Sequence, residues 1–138
     1  MPIQESYREE ALSKLKRLCS LIEPHVEAFI QDSDPEDLEM GLRFELKMHD
    51  VEDLWKEAVE ENNYMEVVYT EIMEHHDGAY LKATFRNSLE NCYGERYVSI
   101  RSSGRVEISH AFFMDLKGIR IRVEKKGKGN FELFAKAL

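Results

Sequence analysis

The sequence predicts an α+β fold: N-terminal amphipathic helices, and one helix after the first strand, packed on a curved, mainly antiparallel sheet of about six to seven strands. Three observations carry this reading. Apolar residues recur at three- and four-residue spacing from Leu12 to Ile30 and again from Val51 to Val59, which is the period of a helix with one buried face. From Tyr64 onward, β-branched and aromatic residues alternate with polar ones, the period of half-buried strands. The runs after Tyr64 are joined mostly by short glycine-containing links, and short links favour antiparallel neighbours.

Element by element, Ser6 and Glu9 fit a capping box at the start of a helix whose apolar stripe is Leu12, Leu15, Leu18, Cys19, Ile22, Val26, Phe29 and Ile30. Pro24 lacks an N–H and crowds the preceding turn, so a kink, or a break into two helices at Glu23, is expected there. Asp34 followed by Pro35 reads as an N-cap and first helical residue, and Gly41 as the stop. Leu42, Phe44, Leu46 and Met48 alternate with charged residues, as in a strand with one buried face. Asp50 can cap a helix that presents Val51, Leu54, Trp55, Ala58 and Val59 on one side, ending at Asn62-Asn63. Strands then follow over 64–74, 79–86, 96–102, 105–110, 119–125 and 131–136. His75-His76-Asp77-Gly78, Ser103-Gly104 and Lys117-Gly118 are turns, and 87–95 is a polar loop holding Cys92. The segment 111–116 suits either a strand end or a helical turn. This order of elements resembles the cone-shaped folds of the nuclear-transport-factor-2-like group, a likeness that no residue motif carries and that implies no function.

The chain is read as one domain over 1–138, acidic and helix-rich over 1–63 and basic and strand-rich over 64–138, because its 138 residues match a common domain size. Its charge is unevenly spread. Residues 1–77 hold 21 Asp/Glu and 7 Lys/Arg, a balance of −14, and residues 78–138 hold 6 and 12, a balance of +6, together the net −8 of the chain. Such asymmetry marks a surface for a charged partner or two halves that neutralise each other. No apolar run approaches the ~18 residues of a membrane span. A polar N-terminus without a secretory pattern, and two cysteines without metal-type spacing, point to a cytoplasmic protein with free thiols.

The chemistry-bearing residues give no catalytic set. Glu71, Glu74, His75, His76 and Asp77 have the right ligand types for a metal but not a ligand spacing, and they fall on a turn. Cys92 with His49 or His110 would make a nucleophile and base, yet no cysteine-enzyme signature surrounds it. Gly127-Lys128-Gly129 lacks the spacing of a phosphate loop. No cofactor and no metal site is therefore expected, and the chain reads as a non-enzyme.

The basic half is more informative. Strand alternation puts Val98, Ile100, Val106, Ile108, Ile119 and Ile121 on one face and Tyr97, Ser99, Arg101, Arg105, Glu107, Arg120 and Arg122 on the other, with Lys82 and Arg86 joining the second set. The binding residues expected from this are Arg101, Arg105, Arg120, Arg122 and Tyr97. The reading that follows is a non-catalytic binding or adaptor protein acting on a protein partner, with homo-oligomer formation as a further expectation. The first alternative is RNA or single-stranded DNA on the basic sheet face, which a pI near 5.2 disfavours. The second is a small-molecule enzyme or carrier with a pocket between sheet and helices lined by Trp55, Tyr69, Phe85, Phe112 and Phe113.

Overall fold

The structure is a computed structural model that describes residues 3–76 and 78–138, apart from the side chains of residues 3, 4 and 75. A long helix α1 (Ile3–Gln31) is followed by α2 (Pro35–Met40), strand β1 (Leu42–Lys47), a 3-10 turn (His49–Val51) and α3 (Glu52–Trp55). α3 runs on as a π-helical turn (Lys56–Glu60), closed by Glu61 N–H donating to the Lys56 carbonyl at 2.8 Å. Six strands complete the chain: β2 (Glu66–His75), β3 (Gly78–Ser88), β4 (Cys92–Arg101), β5 (Val106–Leu116), β6 (Ile119–Gly127) and β7 (Asn130–Ala137). All pair antiparallel in one open sheet of order β1-β7-β6-β5-β4-β3-β2.

The expected architecture is the observed one, and several local expectations are corrected. α1 begins at Ile3, so Ser6 lies inside it and not at its cap. A helix already formed extends at little cost, and no Gly or Pro stands between Ile3 and Ser6 to prevent it. α1 also runs unbroken through Pro24. Ile22 and Val26, both fully buried, hold the chain on the sheet on either side of the lost hydrogen bond. Asp34 does cap α2, its carboxylate accepting from Glu36 N–H at 3.0 Å, and Gly41 ends it at φ +100°, where a side chain would strain the backbone. Asp50 caps nothing; it accepts from His25 at 3.1 Å and so ties the 3-10 turn to α1. The loop expected over 87–95 shrinks to Leu89–Asn91, because Cys92 already pairs with Met114 as the first residue of β4. The segment 111–116 is strand throughout.

The core lies between α1, the α3 region and one face of the sheet. Leu15, Leu18, Ile22 and Val26 from α1 meet Trp55, Ala58 and Val59, and below them Phe112, Met114, Ile121, Val123, Phe131 and Leu133. Trp55 stands edge-on to Phe131 with ring centres 5.3 Å apart. Among the described residues no helix is long and apolar enough to cross a membrane. Among the described residues the opposite face of the sheet carries no helix.

Candidate functional site

Cross-strand register fixes what the uncovered face displays, because residues directly opposite each other in a ladder point the same way. Tyr93 opposes Phe113, which opposes Arg122, which opposes Phe134, which opposes Arg43. One row further Glu95 opposes Arg86, and in the row beyond that Tyr97 opposes Thr84. The face is thus a mixture of aromatic rings, cations and carboxylates.

The side chains use that proximity. Tyr93 and Phe113 stack with centres 4.6 Å apart and planes at 15°. A guanidinium lies over each: Arg86 is 4.5 Å from the Tyr93 ring centre and Arg122 is 5.5 Å from that of Phe113. Arg101 lies 4.4 Å over Tyr80, and Arg43 5.5 Å over Phe134. Lys82 and Arg122 approach Tyr97 at 5.9 and 6.0 Å. Such contacts are worth ~0.5–1 kcal/mol each at exposed positions, and they hold flexible arginines flat against the sheet.

Carboxylates neutralise most of these cations. Glu95 is buried and accepts from Arg86 Nε at 2.9 Å and from the Tyr97 hydroxyl. Arg120 makes a two-pronged pair with Asp115 at 2.9 and 3.2 Å. Arg122 donates to Glu124 at 2.7 Å, Arg105 pairs with Glu107 at 3.0 Å, and Arg43 with Glu132 at 2.7 Å. Burial, then the hydrogen bond to Glu95, pushes the Tyr97 hydroxyl well above the ordinary tyrosine range, so it stays a neutral donor. Burial likewise raises Tyr93, helped by the nearby Glu95 charge. Beside the stack, Phe113, Phe134, Arg120, Arg122, Lys136 and the C-terminal residues line a mostly apolar hollow of about 430 Å³.

All five expected site residues lie on this side or its rim. Tyr97, Arg120 and Arg122 share the central field with Phe113, whereas Arg101 and Arg105 sit apart at the β4–β5 hairpin end. Three of the arginines are not left free as a positive patch: Arg120 pairs with Asp115 on the neighbouring β5, Arg122 with Glu124 on its own strand and Arg105 with Glu107, none of them on the acidic helices. Arg101 lies over the Tyr80 ring instead. Sequence reasoning missed Tyr93, Phe134 and Glu95, and set Phe113 in an interior pocket rather than on this face. Their parity along the strands was a usable signal for the rings, but the register that brings them together came only with the fold.

The other candidate groups do not converge. Trp55 and Phe112 are core, Phe113 lies on the uncovered face and Tyr69 is exposed on the edge strand, so the expected aromatic set lines no common pocket. The Glu71–Asp77 group includes residues outside those described. Cys92 is buried, and its neighbour is the Cys19 thiol rather than a histidine. The hydrogen bond to Cys19, then burial, pushes the Cys92 thiol up, the reverse of what a nucleophile needs. His110 instead lies on β5 beside Arg96, whose Nε comes to 3.3 Å of its ring nitrogen. No family model, no curated protein and no solved structure matches this chain.

Proposed function

We propose that this chain is a non-catalytic, cytoplasmic binding or adaptor protein that docks a protein partner on the uncovered face of its sheet. The observation that carries this is the Tyr93–Phe113 stack with Arg86 and Arg122 laid over its rings, beside the hollow formed with Phe134. Tyrosine, phenylalanine and arginine are the residues enriched at protein interfaces, and tyrosine and arginine supply many of their energetic centres. Pre-stacked side chains lose little freedom when a partner arrives. The carboxylates decide between partner classes. Glu95, Glu107, Asp115, Glu124 and Glu132 lie among the arginines, with Glu124 and Glu132 side by side, so a polyanion would meet carboxylates as well as cations. A protein surface can match such a mosaic residue by residue.

The test is affinity capture from nuclease-treated native lysate, with the wild-type chain beside an Arg120→Glu/Arg122→Glu variant. Capture of a defined protein by the wild type, lost in the folded variant and indifferent to nuclease, supports the reading. Capture that disappears with nuclease favours nucleic acid and would overturn it.

A further inference from the structure

The helix-side face of the sheet is only partly covered. α1 and the Lys56–Glu60 turn pack on β4 and β5, and α2 on β7, leaving the far ends of β2 to β5 bare. There Val67, Ile72, Leu81, Ile100, Val106 and Ile108 are 58, 77, 42, 43, 54 and 57% exposed. Register makes them one surface. Ile72 opposes Leu81, Leu81 opposes Ile100, Ile100 opposes Val106, and Val98 opposes Ile108. The same-face positions between Ile72, Leu81, Ile100, Val106 and Ile108 are Thr70, Ala83 and Val98, all uncharged, and Val67 joins them through Phe85. Arg96, next to Phe85, borders the patch on the helix side, where it donates to the Glu60 carbonyl at 2.9 Å. The alternation that reads as core in the sequence is real, but the helical layer stops before reaching it.

We propose that a second copy of this chain covers this patch, sheet against sheet about a two-fold axis. Three features select that occupant. The first is area. At ordinary side-chain sizes the six residues expose about 600 Å², the upper end for the largest apolar patch on a monomer. With Thr70, Ala83 and Val98 the face approaches the ~800 Å² per partner of a standard interface. The second is shape. Four strands span about 14 Å, wider than the ~10 Å of a single docked helix. The bare sheet lies one helix layer, ~10 Å, below the covered end, and facing sheets also pack ~10 Å apart. The bare end of a second copy therefore fills the step, its hairpin tips against the ends of the helices. The third is charge. A chain of net charge −8 repels its own copy, and a charge-free contact keeps those charges at the rim. A two-fold axis sets the patch against itself, so every apolar residue meets another.

Sedimentation velocity over micromolar concentrations tests this. The wild type is expected at twice the 16.2 kDa of the chain, and an Ile100→Lys/Ile108→Lys variant at the chain mass with an unchanged circular dichroism spectrum. Should that variant not fold, cysteine cross-linking replaces it. Ile100→Cys should form an inter-chain disulfide on oxidation, and Ser99→Cys, on the opposite face, should not. A wild type that is monomeric at tens of micromolar, a dimer that survives in the double variant, or cross-linking through Ser99→Cys alone would each overturn the proposal. A monomer that floats with phosphatidylcholine vesicles would replace the second copy by a lipid surface.

Discussion

Glu95 is buried beneath the uncovered face, and its carboxylate accepts from Arg86 Nε at 2.9 Å. The pair clamps β3 to β4, and it fixes Arg86 over Tyr93. Removing one partner of a buried pair leaves an uncompensated charge, at a cost of ~3–5 kcal/mol when both groups are desolvated. Arg86 is partly exposed, so a smaller cost of ~1–3 kcal/mol is expected for Arg86→Ala. Urea denaturation measures it. A variant as stable as the parent would show that Glu95 finds enough compensation without Arg86.

The packing of α1 gives a second prediction. Leu15 is fully buried against the sheet, its Cδ1 lying where a side chain on Gly94 would sit 3.7 Å away. Leu15→Ala should lower stability by ~2–5 kcal/mol through lost burial and a residual cavity. Thermal unfolding would reveal a peripheral helix if the variant melts with the parent.

His110 gives a pH dependence. Burial, then the Arg96 guanidinium, lowers its folded pKa below the ordinary value, while Glu60 pulls the other way. A depressed folded pKa means the unfolded chain takes up the proton first. The stability from neutral His110 is complete above the unfolded value, about 6.5, and is lost as pH falls through and below it. His110→Asn should flatten the fall in denaturation midpoint between neutral and mildly acidic pH. An unaltered slope would place that sensitivity elsewhere.

The thiols give a fourth. Cys19 and Cys92 are both buried, and a thiol shut away from solvent is out of a reagent's reach. Ellman's reagent should titrate both only after denaturant is added. Rapid reaction of Cys92 in the native protein would mean that β4 opens at its start.

Much of this was legible in the chain itself. Period-two alternation assigned the strands and the facing of Arg101, Arg120 and Arg122, because one residue of register flips every side chain. It could not say where the helices end over the sheet. Ile100, Val106 and Ile108 carry the pattern of a core and lie outside it. Helix termini followed local signals only in part: Asp34 acts as written, whereas Ser6 is passed over because an existing helix extends at little cost, and Pro24 is overridden by the burial of Ile22 and Val26. Cys92 read as a loop residue beside Asn91 and Gly94, yet ladder pairing with Met114 draws it into β4. The stacked rings of the binding face join residues on different strands, and such contacts exist only once pairing has set the register.

The central claim is that the Tyr93–Phe113 field is where the partner docks. Side-chain oxidation footprinting of the chain alone and with its captured partner reads this directly. The account predicts that Tyr93, Phe113 and Phe134 lose reactivity in the complex while Ile72 and Val67 keep theirs. Unchanged reactivity at Tyr93 and Phe113 in a fully formed complex would contradict it.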